Sequence, residues 1–448
     1  MPEPAASPPA LSTTYRWVRT SQYGLNVAIV LAGVALTAGE WHRALFALAL
    51  VPLVFVPFSY ARLRAQRTIE GLLGGRPYGR RAATLWSGVA AALDAVMLAQ
   101  LLTARSQLGV SVLQAPGITW VGPVWFSGNA LFLLGLGLLG LVRGARRGLH
   151  GALRALRVSV PPPQAPPDPG RRLFLKQLGF LGVGTPFVVS LTGVQLSYAF
   201  RVQEHEIVLP HWPRALDGLR VAHLSDIHVG GAMNRARLLH VAELTLAARP
   251  DLVLHTGDFL THRSGDFDAP LYEALARIRA PYGQWASLGN HDFDDPARLV
   301  RQLADAGVTT LRDRLVGVPV GGLQLELAGV DFQFGRGGRD GRYASIAGAW
   351  PRRGAPRLLL NHDPSAFGAL PEDCADLVCS GHTHGGHIGI QLGPDHAVTV
   401  IGLVGLPDQG LFTRRDLRLF VTRCVGFYGY PMRLGIPPEI SLLVLRAA

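Results

Sequence analysis

At 448 residues the chain is too long for one typical domain and fits two or three. Its formal charge of +12 is one-sided: residues 1–200 hold 18 basic and 5 acidic side chains, while residues 201–448 hold 25 and 26. With no helix-turn-helix, zinc-finger or RNA-binding signature beside it, that charge does not indicate nucleic acid, and none is expected as a partner.

Residues 1–158 read as an all-α transmembrane region of about four helices, from apolar stretches at 23–38, 44–60, 82–104 and 124–142. A bilayer core takes about 20 apolar residues in a helix. The third and fourth stretches supply that; the first two are shorter and read as a helical hairpin. Asp94 falls in the middle of the third stretch, where an unpaired carboxyl is costly, so an interhelical hydrogen bond is expected. The span 159–202 begins as a Pro-rich, semi-rigid linker. The run Arg171-Arg172-Leu173-Phe174-Leu175-Lys176 follows and resembles a twin-arginine export signal. A fifth apolar segment at 178–196 closes the span.

Residues 203–448 change to a soluble α/β pattern. Helices are expected at 234–249, 270–280 and 296–306, a hairpin about Gly321-Gly322 at 315–330, and a flexible loop at 334–341. In that loop Arg336, Arg339 and Arg342 either approach an anionic substrate or are only solvated. Five short apolar runs, 219–225, 251–256, 284–288, 357–360 and 375–380, read as buried strands. Each delivers Asp, Asn or His just past its carboxyl end, where open α/β sheets build their sites. The products are Asp226-Ile227-His228, Gly257-Asp258, Gly289-Asn290-His291-Asp292, Asn361-His362-Asp363 and the heptad GHTHGGH at 381–387. His382 and His384 sit two apart, so on an extended segment they would point the same way toward a transition metal. His223 and His255 precede their motifs within strands and read as core residues or as supports behind the ligands, not as ligands. Cys374, Cys379 and Cys424 lack CxxC spacing and read as small packing residues.

In this order DIH, GD, GNHD, NHD and GHTHGGH resemble the calcineurin-like metallophosphoesterase superfamily. Asp331, Arg423 and the run RLGIPPE at 433–439 resemble its membrane-associated bacterial branch. The resemblance covers residues 203–448 and implies a four-layer αββα sandwich. It implies two divalent ions, with Asp226, His228 and His384 on the first, Asn290, His362 and His382 on the second, and Asp258 shared. Seven mixed nitrogen and oxygen donors suit Mn, Fe or Zn better than Ca or Mg. His291 is the implied general acid, and Asp292 is expected to hold its tautomer. Two positions depart from the pattern: His387, where related branches show Gln, and Cys424, where relatives commonly have Gly.

The expected reaction is hydrolysis of a phosphoester or pyrophosphate by a water activated between two metals, on a phosphorylated small-molecule, nucleotide-linked or lipid substrate. The alternative is a membrane sensor or scaffold that binds metal without catalysis. Its mark would be a lost ligand or acid, and none is missing. Basic residues flanking the five apolar stretches alternate 2, 1, 6, 1, 8. By the positive-inside rule that expects a multi-pass protein of the cell membrane with its catalytic domain outside the cytoplasm.

Overall fold

The computed structural model describes parts of 60–97, residues 121–155 and, from 169 onward, all but 231–232, 262–267, 336–337, 351–353, 394–395 and 429–430. The first apolar stretch, nearly all of the second, most of the Pro-rich linker and Arg336 lie outside the described residues. The chain divides into two compact units, Met1–Leu191 and Thr192–Ala448.

In the first unit, one helix among the described residues is long and apolar enough to cross a membrane, Val121–Leu153. It contains the fourth expected stretch. The third is represented by the shorter apolar helix Gly88–Met97. Asp94 is buried there and accepts the Trp125 indole N–H at 2.7 Å, the interhelical bond its cost demands. The fifth stretch lies in the helix Pro169–Leu196, which runs through Pro186.

In the second unit, fourteen strands are described, of which twelve build two six-stranded sheets. The first has the order β1 (Arg201–Leu209), β14 (Glu439–Ala447), β2 (Leu219–Leu224), β3 (Leu252–Thr256), β4 (Gln284–Ser287), β5 (Val308–Thr310). The second runs β12 (Gly410–Arg414), β13 (Leu417–Val421), β9 (Leu377–Ser380), β8 (Arg357–Asn361), β7 (Leu323–Val330), β6 (Arg314–Val320). Strands with both faces buried read as continuous apolar runs because successive side chains enter different cores. On β2, Leu219 and Val221 pack between the sheets, while Ala222 and Leu224 join the outer core beneath the helices Arg235–Ala247, Ala269–Leu275 and Pro296–Asp305. On β8, Leu358 and Leu360 face the inter-sheet core and Leu359 the outer one, with the helix Arg339–Gly348. Helices, sheet, sheet and helices make four layers, an αββα sandwich.

The helix Arg339–Gly348 corrects the expected loop at 334–341. Gly338, at φ +70°, turns the chain into it, and Arg339 is spent on structure: it pairs with Asp363 at 3.1 Å and donates to Ser365 Oγ at 2.8 Å. The chain's last strand, β14, inserts between β1 and β2 and carries buried Glu439 into the core. Burial pushes this carboxyl up, but His205 at 3.4 Å, Arg423 at 2.5 Å and the Ser441 hydroxyl at 2.6 Å hold it down at about 2. A carboxyl lowered on folding stabilises above its unfolded pKa and loses that contribution as pH falls through the folded value. Between about pH 4.5 and pH 2, wild type should therefore lose ~3 kcal/mol that Glu439→Gln never had. Urea unfolding of both proteins across that window checks it; parallel curves would mean that Glu439 is not the titrating group.

Candidate metal centre

The carboxyl ends of β2, β3, β4, β8 and β9 all feed one site, and the backbone there is unusual. Asp226, His228, Asp258, His382 and His384 all have positive φ, between 48° and 69°. Non-glycine residues rarely adopt this region, and they cluster in it where surrounding structure enforces a functional geometry. The enforcement is visible at Gly289, where a Cβ would collide with the Asp258 carboxylate, so only glycine lets the two loops approach.

These turns gather the side chains into two triads, Asp226–His228–His384 and Asp258–His362–His382, each with its ligand atoms within 4.8 Å of one another. In the first, His384 Nε2 lies 3.1 Å and His228 Nε2 3.9 Å from Asp226 Oδ1. In the second, His362 Nε2 lies 3.4 Å from Asp258 Oδ2, 3.1 Å from His382 Nδ1 and 3.1 Å from Asn290 Oδ1. Asp258 Oδ2 is also 3.5 Å from His228 Nε2, so one oxygen stands between the triads. His382 and His384 do not converge on one point as extended-strand geometry predicts. Positive φ at both, with a 3-10 turn over His384–Gly386, sends each into a different triad.

The donor atoms fit divalent cations. The His362 and His384 Nδ1–H groups face the carbonyls of Thr256 (2.6 Å) and Gly426 (3.3 Å), which turns their Nε2 lone pairs into the site. Asp226 Oδ1 and both ring nitrogens of His228 are buried without a hydrogen bond, an arrangement that costs free energy unless something coordinates them. Burial works to raise both carboxyls, yet His384 and His362 hold Asp226 well below its usual value, and His362 lowers Asp258. Burial also disfavours charge on His362, but Asp258 and Asp226 raise it to about 10; His228, with burial and His384 both against it, falls to about 3. Cations bound here would replace the His362 proton.

Asp292 is placed differently from expectation. Its carboxylate accepts backbone N–H groups from Asp258, Phe259, Leu260 and Gly289 at 2.7–3.3 Å, so it ties the β3 turn to the β4 turn. It does not orient the His291 ring, whose Nδ1 instead lies 3.2 Å from the Thr261 carbonyl oxygen. The His291 backbone N–H donates to Asp258 Oδ1 at 2.8 Å, and its ring lies 5.1 Å from that of His228 and 4.3 Å from that of Tyr428. Tyr428 was not singled out in the sequence, since no motif marks it.

Cys424 corrects the packing-only reading of the cysteines. Its thiol donates to Asp226 Oδ2 at 3.2 Å, joining the Ser225 hydroxyl (2.5 Å) and the His382 N–H (2.9 Å) on the oxygen that faces away from His384. Three donors on Oδ2 leave Oδ1 as the outward oxygen. Cys379 packs between the sheets and Cys374 in the outer core, as expected. His387 faces the Met432 carbonyl at 3.2 Å, and burial together with Arg433 lowers it to about 2, so it is a neutral brace. Arg433 is itself buried, donating to the carbonyls of His384 (3.1 Å) and Gly426 (2.7 Å), so it clamps the His384 turn. His223 and His255 are buried and bond Thr256 Oγ1 and Gln284 Oε1; neither belongs to a triad.

Residues 219–386 match the family described as calcineurin-like phosphoesterase. An uncharacterized metallophosphoesterase of Bacillus subtilis (strain 168), YkoQ, is 29% identical over 231 residues, covering 50% of this chain and 82% of that protein. A Danio rerio transmembrane protein with metallophosphoesterase domain is 27% identical over 279 residues, 55% of this chain and 58% of its own length. Phosphodiesterase YaeI of Escherichia coli (strain K12) is 27% identical over 235 residues, 50% and 82% respectively. Residues 219–386, which hold both triads, are thus a calcineurin-like phosphoesterase domain, the domain of metal-dependent phosphohydrolases.

Proposed function

We propose that the chain is a membrane-anchored, two-metal phosphohydrolase acting on a phosphate ester or pyrophosphate, with a lipid- or nucleotide-linked molecule as substrate. The observation that carries this reading is the Asp258 oxygen, 3.5 Å from His228 Nε2 and 3.4 Å from His362 Nε2, between two triads. Asp226, His228 and His384 would hold one ion, Asn290, His362 and His382 the other, and Asp258 both. When bound, two such ions neutralise the phosphate oxygens and lower the pKa of an attacking water. The carbonyl and hydroxyl partners behind the ligands fix their directions beforehand, so little reorganisation is left for the reaction itself. His291 stands beside the Asp258 turn with Nδ1 toward the Thr261 carbonyl, which leaves Nε2 as the nitrogen to pass a proton to a departing alkoxide. No Ser or Cys nucleophile is required; the Cys424 thiol is buried against Asp226, and burial and that carboxylate push it well above its ordinary value.

The test is a hydrolysis screen of full-length protein loaded with Mn, Fe or Zn, using nitrophenyl diesters, alkyl monoesters and lipid pyrophosphates. Turnover of at least one class is expected. Stoichiometric metal with no turnover of any class would favour the scaffold alternative instead.

The anchor belongs to the same proposal. Five segments cross the membrane, the N-terminus is cytoplasmic, and the catalytic unit works outside. The alternating basic tally and the apolar helix Val121–Leu153 support this. A phosphatase reporter fused after Arg201 should be active and a fluorescent reporter at the same position dark. The reverse pair would leave the domain in the cytoplasm and make Pro169–Leu196 a helix that does not cross.

A further inference from the structure

The third described sheet is a two-stranded hairpin, β10 (Gly389–Gly393) with β11 (His396–Thr399), and its faces are inverted relative to a soluble hairpin. Side chains alternate across a strand, so a hairpin lying on a domain ordinarily turns its apolar side inward. Here Ile390 pairs directly with Val398, and both point to solvent together with Ile388, Leu392 and Val400. The polar side points in: Gln391 accepts from Arg423 at 3.3 Å, and Thr399 donates to buried Asp408. The outward apolar surface continues into the 3-10 turn Gly402–Val404, and Ile390, Leu392, Val400, Leu403 and Val404 are each 58–76% exposed. From 388 to 411 the sequence has two charged residues, Asp395 and Asp408. An exposed apolar surface so poor in charge marks a place where something else is meant to sit.

What sits there is indicated by the neighbouring chain. Gly389 N–H donates to the Leu434 carbonyl and Leu434 N–H to the His387 carbonyl, both at 2.9 Å, so the root of the hairpin is stitched to the segment around Leu434. Arg433 N–H in turn donates to the Gly193 carbonyl at 3.0 Å, and a Cβ on Gly193 would collide with Leu434 and Met432. Gly193 lies in the last turns of Pro169–Leu196, the helix that carries the fifth apolar stretch. The exposed hairpin is thus continuous, through a single segment, with the end of an apolar helix. It also springs from the ligand turn, since Ile388 follows His384 by four residues.

We propose that the hairpin face and the 402–404 turn dock into the interfacial layer of a lipid bilayer and bring the metal centre to the headgroups. Aliphatic side chains enter the acyl boundary while the polar face stays on the protein, as in interfacial anchors generally. The substrate class that follows is a lipid phosphate still seated in its membrane. This deepens the proposed function and rests on it for the chemistry, though not for the docking.

The three native cysteines are buried, so a thiol-directed environment-sensitive dye labels an introduced exposed cysteine selectively. Full-length Leu392→Cys, Leu403→Cys and, as control, Asp305→Cys are labelled and reconstituted in phosphatidylethanolamine–phosphatidylglycerol vesicles containing a doxyl-labelled phosphatidylcholine. Blue-shifted emission with strong doxyl quenching at 392 and 403, and neither at 305, is expected. Quenching at 392 and 403 no greater than at 305 overturns the proposal. A blue shift without quenching that grows with protein density overturns it in favour of a second copy of the chain. In a parallel arm, Ile390→Asp with Leu403→Asp should slow hydrolysis of a vesicle-embedded lipid phosphate about tenfold or more, with hydrolysis of a soluble nitrophenyl diester near wild type. Equal loss on both substrates would count against a docking role. Wild-type protein that hydrolyses nothing would sink the enzymatic reading alone, because the quenching still reports the docking.

Discussion

Asp258→Asn should lose most of both metal equivalents and, with them, more than about 100-fold in hydrolysis. Removing a side chain that merely supports a ligand typically costs 10–100-fold in metal affinity or activity. Asp258 does more than support. Its Oδ2 stands 3.5 Å from a nitrogen of one triad and 3.4 Å from a nitrogen of the other, and its Oδ1 accepts the His291 N–H at 2.8 Å. Asparagine matches its volume and can keep the His291 bond, so the fold should survive. What disappears is the negative charge between two would-be cations, and a buried site gives that charge little solvent screening. Metal analysis of the purified variant, alongside wild type, decides the matter. Two full equivalents on Asp258→Asn would move the bridging role to another group, and one equivalent would assign Asp258 to a single ion.

His291→Ala should retain its metal and lose rate in proportion to the leaving group's need for a proton. A general acid contributes about 100- to 10,000-fold. That loss should appear in full on alkyl esters, whose alkoxides leave badly, and largely vanish on nitrophenyl esters. The geometry favours the separation, since the His291 ring belongs to neither triad: its backbone N–H bonds Asp258 and its ring meets that of His228 edge-on. Metal content near wild type is the internal control. Losses of equal size on both ester types would mean that His291 positions the substrate or the Asp258 carboxylate instead. Because Asp292 ties backbone turns and leaves the His291 ring alone, Asp292→Asn should not reproduce this leaving-group dependence.

The sequence by itself determined most of the catalytic unit's plan, for a physical reason. Buried strands are mostly apolar on both faces, so β2, β3, β8 and β9 appear as short Val- and Leu-rich runs, and β4 as Trp285 and Ala286 ahead of Leu288. Polar side chains at their ends stand out against that background. The βαβ connections are local as well: Asn234 accepts from Arg237 N–H and Asp295 from Arg298 N–H, caps that the sequence marks within three residues. Only the tertiary structure decided what depends on residues far apart in the chain. β14 enters between β1 and β2, over 200 residues from either, by pairing with both, and that placement brings Glu439 to Arg423 and His205. Cys424 reaches Asp226 across 198 positions, a contact no spacing rule can anticipate. His382 and His384 part into different triads because positive φ overrides the two-residue alternation of a strand. Asp292 looked like a partner for its neighbour, but four backbone donors from two turns outcompete one imidazole for a buried carboxylate. The outward face of the hairpin at 389–399 is illegible in the sequence for a related reason. Alternation reports that one face is apolar, and only the packing of Gln391 and Thr399 shows that this face points outward.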